Sequence, residues 1–322
     1  MNAAVYYETG GPEVFRYEEV PDPVTGPGEV LVRVEAVSIE GGDTLNRLGG
    51  ALSHSPHIVG YQCAGTVVEI GASVTTVGVG DRVVTVGVDG SHAELRAVGE
   101  SFCWRIPDAA TTEDAACVPV PFGTDDDSLF EFGRLSQGET ALIHAGASGV
   151  GIAAIQLAHR AGATVLATAS STARLERLHE FGLDHGIDYS SGQFADEVRR
   201  VTDGRGADVI LDSVGGATLQ QSLGCLAYRG RCITFGDAGR GTADRVDITT
   251  MRSQNQTLVG YFLGAELFLG TRARAVIARH LDDVASGALR VVIDRRFPLA
   301  EAGEAHAYIE SRQAFGRVLL IP

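Results

Sequence analysis

The run TALIHAGASGVG, residues 140–151, decides how the chain is organised. An apolar triplet, Ala141-Leu142-Ile143, feeds a glycine-rich turn at Gly146, Gly149 and Gly151, and an uncharged stretch of helical pattern, residues 152–161, follows at once. Strand, tight turn and helix start in that order leave backbone N–H groups at the helix N-terminus aimed outward, which suits a pyrophosphate. The candidate cradle residues are Gly146, Ser148, Gly149 and Val150. The spacing Gly-x-x-Gly-x-Gly departs from Gly-x-Gly-x-x-Gly, because Ala147 and Ser148 stand where a glycine is expected. By itself the motif also fits a turn that merely lets strand and helix pack closely, so the flanking sequence has to decide.

Downstream, strand-length and helix-length patterns alternate. Strands are expected at 164–169, 187–189, 207–213, 231–236 and 257–261, with helices at 172–181 and 194–202 between them. Repeated βα units of this length build a doubly wound parallel sheet. Upstream, short β runs at 3–7, 30–38, 64–70, 82–86 and 93–98 are separated by glycine and proline turns, the pattern of a β-barrel-like domain. The tail, 262–322, offers one long helix at 266–285, strands at 291–297 and 317–321 and a helix at 300–312. Two strands are too few for a domain, so the tail is expected to complete the N-terminal one. The expected domains are 1–119 with 262–322, and an inserted 120–261.

The 322 residues carry a net charge of −15, and all 26 basic residues are arginine. A basic face for nucleic acid is therefore not expected, and lysine-dependent Schiff-base and P-loop chemistry is excluded. Five scattered cysteines without Cys-x-x-Cys spacing read as reduced thiols. With no export signal and no apolar run long enough to span a bilayer, a cytoplasmic protein is expected.

The strand ends refine the dinucleotide reading. About 20 residues after the glycine turn, NAD-preferring sheets place an acidic residue for the ribose 2′-OH. Here that place reads Ala169-Ser170-Ser171-Thr172-Ala173-Arg174, with two hydroxyls and a guanidinium and no carboxylate. That set favours NADPH over NADH, although Ser170 as a helix cap and Arg174 as a solvated side chain also fit. Ser213-Val214 and Phe235-Gly236 put small or apolar residues where two further strands stop, the edge at which open α/β sheets bind ligands.

Over nearly its whole length the chain resembles the zinc-independent, quinone oxidoreductase (ζ-crystallin-like) branch of the medium-chain dehydrogenase/reductase superfamily. The matching stretches are GPEVF, PGEVLVRVEA, IVGYQCAGTVVEIG, VGVGDRV, AGASGVG, DVILDSVGG and FGRVLLIP. The resemblance implies a GroES-like catalytic domain around an inserted Rossmann domain. It also implies cofactor contacts at Thr124, Tyr189, Ser213, Phe235, Gly316 and Val318, and a homodimer contact through the apolar stretch 257–263.

Zinc alcohol dehydrogenases of that superfamily hold their catalytic metal with a Cys, the His of a Gly-His-Glu motif and a later Cys. Alignment on Asp43 and Gly60 puts Glu40, Tyr61 and a position near Val120 in those places, with Gln62 where the Glu would be. Such a set does not make a zinc site, so no metal is expected. Without a Lewis acid the better acceptor is one whose charge delocalises, a quinone or an α,β-unsaturated carbonyl. A dedicated enoyl reductase of a biosynthetic pathway and a non-catalytic NADPH-binding protein are the alternatives. Glu40 and Tyr61 are the candidates for positioning and proton supply. Glu40 as a ribose partner and Tyr61 as a core residue stay open. Asp125-Asp126-Asp127 reads as helix N-terminal charge or as an entrance lining. His54 and His57 read as loop residues facing substrate or solvent, and His144 as structural.

Overall fold

Period-2 and period-3.6 patterns alternate along the chain, and the computed structural model places them in two compact units. One comprises Met1–Gly123 with Gly264–Pro322, the other Thr124–Leu263. The structure describes residues 1–241, 246 and 248–322.

In the first unit, Glu29–Ser38 is the central strand. It pairs antiparallel with Gln62–Ile70, with Leu95–Gly99 and with Arg317–Ile321, so a single ten-residue run holds together strands from both ends of the chain. Val30 and Val32 join an apolar cluster with Val67, Val83 and Val98, and Val34 joins another with Phe297, Leu299 and Leu320. The tail completes this sheet through a parallel pair, Ile293–Pro298 with Arg317–Ile321, the helix Ala302–Glu310 lying between them in sequence. The expected helix over 266–285 is two helices, Leu263–Leu269 and Arg272–Ala285. The break falls at Gly270, where a Cβ would press on the Glu266 carbonyl oxygen at 2.8 Å. The second of the two docks where the Trp104 indole N–H donates to the Arg274 carbonyl at 3.0 Å.

The second unit is a six-stranded parallel sheet. Its strands stand in the spatial order His185–Asp188, Thr164–Ala169, Thr140–Ile143, Ala207–Asp212, Leu226–Thr234, Thr257–Gly260. Sequence order reverses between Thr140–Ile143 and Ala207–Asp212. Helices Gly149–Arg160, Thr172–Leu178, Phe194–Val201 and Gly216–Gly224 provide crossovers or cover. The fold is α/β, a GroES-like domain and a parallel-sheet Rossmann domain. Among the described residues, no helix is long and apolar enough to cross a membrane.

Asp125, Asp126 and Asp127 differ from both sequence expectations. They lie at the C-terminal end of the helix Pro119–Asp126 and the start of the wider turn that follows, and all three are buried. The Asp127 carboxylate accepts the Tyr261 hydroxyl at 2.9 Å. Asp125 and Asp126 thus close a helix instead of opening one, and all three carboxylates are buried.

At Gly151 the backbone leaves no room for a side chain: a Cβ would overlap the Ala145 carbonyl oxygen and come within 2.7 Å of Gly146 backbone atoms. Backbone cannot yield as a side-chain tip can. Gly151→Ala should lower unfolding free energy by about 1–3 kcal/mol, read as a reduced midpoint in urea with an unchanged slope.

Candidate functional site

In the sheet unit, the strand Thr140–Ile143 ends at His144 and the chain turns through Ala145, Gly146 and Ala147 into the helix Gly149–Arg160. Ser148 is the N-cap, its hydroxyl accepting the Gly151 N–H at 3.0 Å. Among the four cradle residues, Gly149 and Val150 form the open first turn, whose N–H groups carry the positive end of the helix dipole. This turn lies at the reversal of strand order, where open α/β sheets form their ligand crevice. On the other side of the reversal, Asp212 ends its strand and accepts the N–H groups of Val214 (2.9 Å) and Gly215 (3.0 Å), which fixes the Ser213-Val214 turn. Phe235 donates its N–H to the Asp212 carbonyl and Ala238 to that of Ser213, so the Phe235-Gly236 segment is tied to the same edge.

Ser170 is exposed after the second strand, and Ser171, not Ser170, is the N-cap position of the helix Thr172–Leu178. Arg174 follows in the first turn of that helix, half-buried. Asp188 ends the third strand and turns its carboxylate to Ser190 and to the Thr172 N–H, which pulls its pKa below the usual range. Tyr189, next along, is 41 % exposed. Thr124 is buried at the start of this unit. His144 is interior: its ring bonds the Ser222 hydroxyl at 2.8 Å and that of Thr168 at 3.1 Å, and burial drives its pKa down to about 3. It is a neutral structural residue.

The first unit holds the remaining candidates. The strand Arg317–Ile321 pairs antiparallel with Glu29–Ser38 with Leu319 opposite Ser38, a register that, continued, brings Arg317 to Glu40. The Arg317 guanidinium grips both Glu40 oxygens, one at 3.1 Å, and also donates to the Ser38 hydroxyl and to the Ile39 carbonyl at 2.8 Å. Glu40 also accepts the Gln62 amide, whose own oxygen takes the Val120 N–H at 3.0 Å. Glu40 and Arg317 are 3 % and 6 % exposed. Burial raises the Glu40 carboxyl above its ordinary range against the opposing pull of Arg317.

Glu40 caps the helix Gly41–Gly49, and Asp43 ties that cap to the next segment, its two oxygens accepting the N–H of Glu40 (2.8 Å) and of Tyr61 (3.1 Å). The Tyr61 ring occupies the space a Cβ on Gly42 would need. Asn46 donates to the Tyr61 hydroxyl oxygen at 3.0 Å, so the phenolic proton remains to be donated elsewhere. Burial, then the Asp43 charge, lifts the Tyr61 pKa to about 12, and the phenol stays protonated at neutral pH. Gly316 is in the turn before Arg317. Val318 is 2 % exposed, its side chain packed with Val37, Ile39 and Cys63 and its carbonyl accepting the Ile39 N–H, so it serves the core and the side chain is not free to line a cofactor.

The sequence reading thus missed two partners of its own candidate, Arg317 and the amide of Gln62. The signal was present: a carboxylate directly after the apolar Val37-Ser38-Ile39 run and an arginine opening the apolar strand VLLI are each costly to bury unpaired.

The residues at the three zinc-ligand places do not fit a metal. Both Glu40 oxygens are taken by a guanidinium, whose fixed charge repels a dication, and the Val120 side chain has no atom that can bind a metal.

Two family models match, "Alcohol dehydrogenase GroES-like domain" over residues 26–108 and "Zinc-binding dehydrogenase" over residues 149–278. The chain belongs to the medium-chain dehydrogenase/reductase family. It is 32 % identical to a 2-haloacrylate reductase of Burkholderia sp., covering 99 % of this chain and 98 % of that one. It is 34 % identical to a quinone oxidoreductase of Pseudomonas aeruginosa, covering 97 % of each. The crystal structure of the Escherichia coli quinone oxidoreductase complexed with NADPH superposes with a TM-score of 0.93 at 27 % identity, covering all of both chains.

Removing one member of the buried pair should cost far more than removing both. Arg317→Met, which strands the Glu40 carboxylate, should lose about 3–5 kcal/mol in urea unfolding, and adding Glu40→Gln should recover a good part of it. A loss in the double variant equal to the sum of the Arg317→Met and Glu40→Gln single losses would show the pair to be uncoupled.

Asp43 gives a pH signature. Burial outweighs the N–H bonds from Glu40 and Tyr61 and pushes its carboxyl from 3.8 up to about 7. The folded state therefore holds this proton more tightly than the unfolded chain, and the stability so gained is present at low pH and lost as pH rises from about 4 through 7. Unfolding free energy measured across that window should fall less steeply for Asp43→Asn than for the unsubstituted chain.

Proposed function

We propose that this protein is an NADPH-dependent, metal-free reductase that delivers a hydride to a quinone or an α,β-unsaturated carbonyl compound. The observation that carries the reading is the edge of the parallel sheet at its reversal of strand order. There an open helix N-terminus stands beside a second strand end offering Ser170, Ser171 and Arg174 and no carboxylate. Gly146, Ser148, Gly149 and Val150 would hold the pyrophosphate. Ser170, Ser171 and Arg174 would hold the 2′-phosphate through hydroxyls and a guanidinium. Thr124, Tyr189, Ser213, Val214, Phe235 and Gly236, with the Gly316 backbone, would line the rest. NADPH when bound supplies the hydride.

The chain's own contribution is orientation and proton supply. Tyr61, protonated at neutral pH and held by Asn46, is the donor toward an acceptor oxygen that gains charge. Glu40 is a positioning residue: clamped by Arg317 and Gln62, it fixes the helix cap from which Asp43 holds Tyr61. The guanidinium beside Glu40 supports the metal-free assignment. The Burkholderia relative's named substrate, an acrylate, is itself a conjugated double bond, in keeping with the acceptor class. The strand Thr257–Gly260 is an edge of the sheet, followed by Phe262 at 64 % exposure, which favours a homodimer through that edge. Five buried free cysteines suit the cytoplasm.

NADPH oxidation across a panel of quinones, enones and 2-haloacrylates, with and without a chelator, tests the reading. Turnover that survives chelation is expected. Tight NADPH binding without turnover on any acceptor would overturn the enzyme assignment, and turnover confined to a single enoyl thioester would move it to a dedicated enoyl reductase. Arg174→Ala should raise KM for NADPH at least about tenfold, the loss of one charge-assisted pair, while leaving KM for NADH unchanged; an equal rise for both would sink the 2′-phosphate assignment. Tyr61→Phe should lower kcat with little change in KM for NADPH.

A further inference from the structure

The first unit carries a second convergence of chemistry-bearing side chains that shares no side chain with the Glu40–Arg317 cluster. The loop before Gly60 brings His54 and His57, and the turn at residues 87–90 brings Asp89; one ligand-capable atom of each lies within 4.8 Å of the others. At their centre is the Ser53 hydroxyl, 2.9 Å from His54 Nδ1, 3.4 Å from His57 Nδ1 and donating to Asp89 Oδ2 at 2.9 Å. A single small polar atom touching all three is in the place that an ion or its water would take.

Two of the three groups are fixed by the backbone. His57 exchanges both backbone hydrogen bonds with Tyr6, at 3.0 and 2.9 Å, and its ring meets the Tyr6 ring edge-on. The Asp89 carbonyl accepts Arg96 at 2.6 Å, and the flanking Gly87 and Gly90 N–H groups bond Tyr61 and Ile58 carbonyls at 2.8 Å. His54 is exposed at the rim, so an ion has a way in and one ligand can adjust.

We propose that His54, His57 and Asp89 bind one divalent transition-metal ion of the zinc class, with water in the remaining position. Two imidazoles and one carboxylate suit Zn²⁺, Co²⁺ or Ni²⁺, whereas Ca²⁺ and Mg²⁺ require oxygen ligands throughout. A tetrahedral ion with bonds of about 2.0–2.1 Å wants its ligand atoms about 3.3 Å apart. Closing from within 4.8 Å to that spacing calls for side-chain rotation of His54, His57 and Asp89 and movement of the Ser53 hydroxyl out of the centre. The ion would tie the loop at 53–57 to the turn at 87–90. Because Gly87 and Arg96 both bond the Tyr61 carbonyl, it would also stiffen the backbone that carries Tyr61.

Co²⁺ titration of the chelator-stripped chain tests this, since tetrahedral or five-coordinate Co²⁺ absorbs visibly far more strongly than the aquo ion. All five cysteines are buried and will not compete. The unsubstituted chain should take up a single Co²⁺ with such a band, bleached by Zn²⁺, and Zn²⁺ should raise its melting temperature. Loss of an outer-shell partner already weakens metal sites about 10–100-fold, so His54→Ala and Asp89→Asn should each weaken uptake at least about tenfold. Ser53→Ala, which removes the central hydroxyl and no ligand, should keep the band. No band in the unsubstituted chain, or one undiminished in both ligand variants, would overturn the proposal. His54 is on the surface, so its variant separates lost binding from lost folding, and neither readout depends on reductase turnover.

Discussion

The ion pair between Glu40 and Arg317 ties residues 277 positions apart in the chain and determines how the first unit closes. Its two charges are nearly sealed from water, and a pair of that kind gains little over a hydrophobic one of the same shape. What it does supply is discrimination among registers. With Leu319 opposite Ser38, Arg317 meets Glu40; a slip of one residue would strand both charges in the core and turn Val318 and Leu320 out of their cluster. The tail strand accordingly has one low-energy alignment. The same pair then holds the Ser38 hydroxyl and the Ile39 carbonyl, the point at which strand becomes helix cap.

That arrangement explains the chain order. Glu29–Ser38 needs neighbours from both termini, so the sheet cannot be finished until the last strand is made, and the parallel sheet unit is carried between. Several buried polar groups of the inserted unit have partners nearby in the same unit. His144 shares Ser222 and Thr168, and Asp127 accepts Tyr261, each within the same unit. Arg231, buried at the fifth strand, takes Glu139 and the carbonyls of Gly133 and Arg134.

The features legible in the sequence were those encoded locally: the glycine turn and the change from period 2 to alternating βα units. Two strands in the tail were too few to stand alone, which pointed to their return. What stayed hidden was long-range pairing. The local sequence shows only that Arg317 opens an apolar strand; which carboxylate it meets is decided at the other end of the chain. Asp125-Asp126-Asp127 looked solvated because burying three adjacent carboxylates is so costly that composition argues against it. The helix expected over 266–285 spanned Gly270, since an isolated glycine breaks a pattern only when its backbone is crowded, as it is here by Glu266. His57 looked like a solvent-facing loop residue and is 4 % exposed because its backbone is paired with Tyr6.

The same geometry bears on why a fold matched by a zinc-binding family model can work without the metal at the Glu40 position on the proposed reading. A catalytic zinc presents a positive centre beside the reacting oxygen and holds its ligands in place. Here the positive centre is a guanidinium, but both of its faces toward Glu40 are spent on that carboxylate, so it organises and does not polarise. Organisation passes from Glu40 through Asp43 to Tyr61, whose phenol is protonated and takes the Asn46 amide on its oxygen. A hydrogen-bond donor of that kind stabilises a charge spread over a quinol or enolate more readily than the concentrated charge of a simple alkoxide. On the proposed reading the choice of acceptor follows from exchanging a Lewis acid for a phenol, and the Glu40–Arg317 pair keeps that phenol in position.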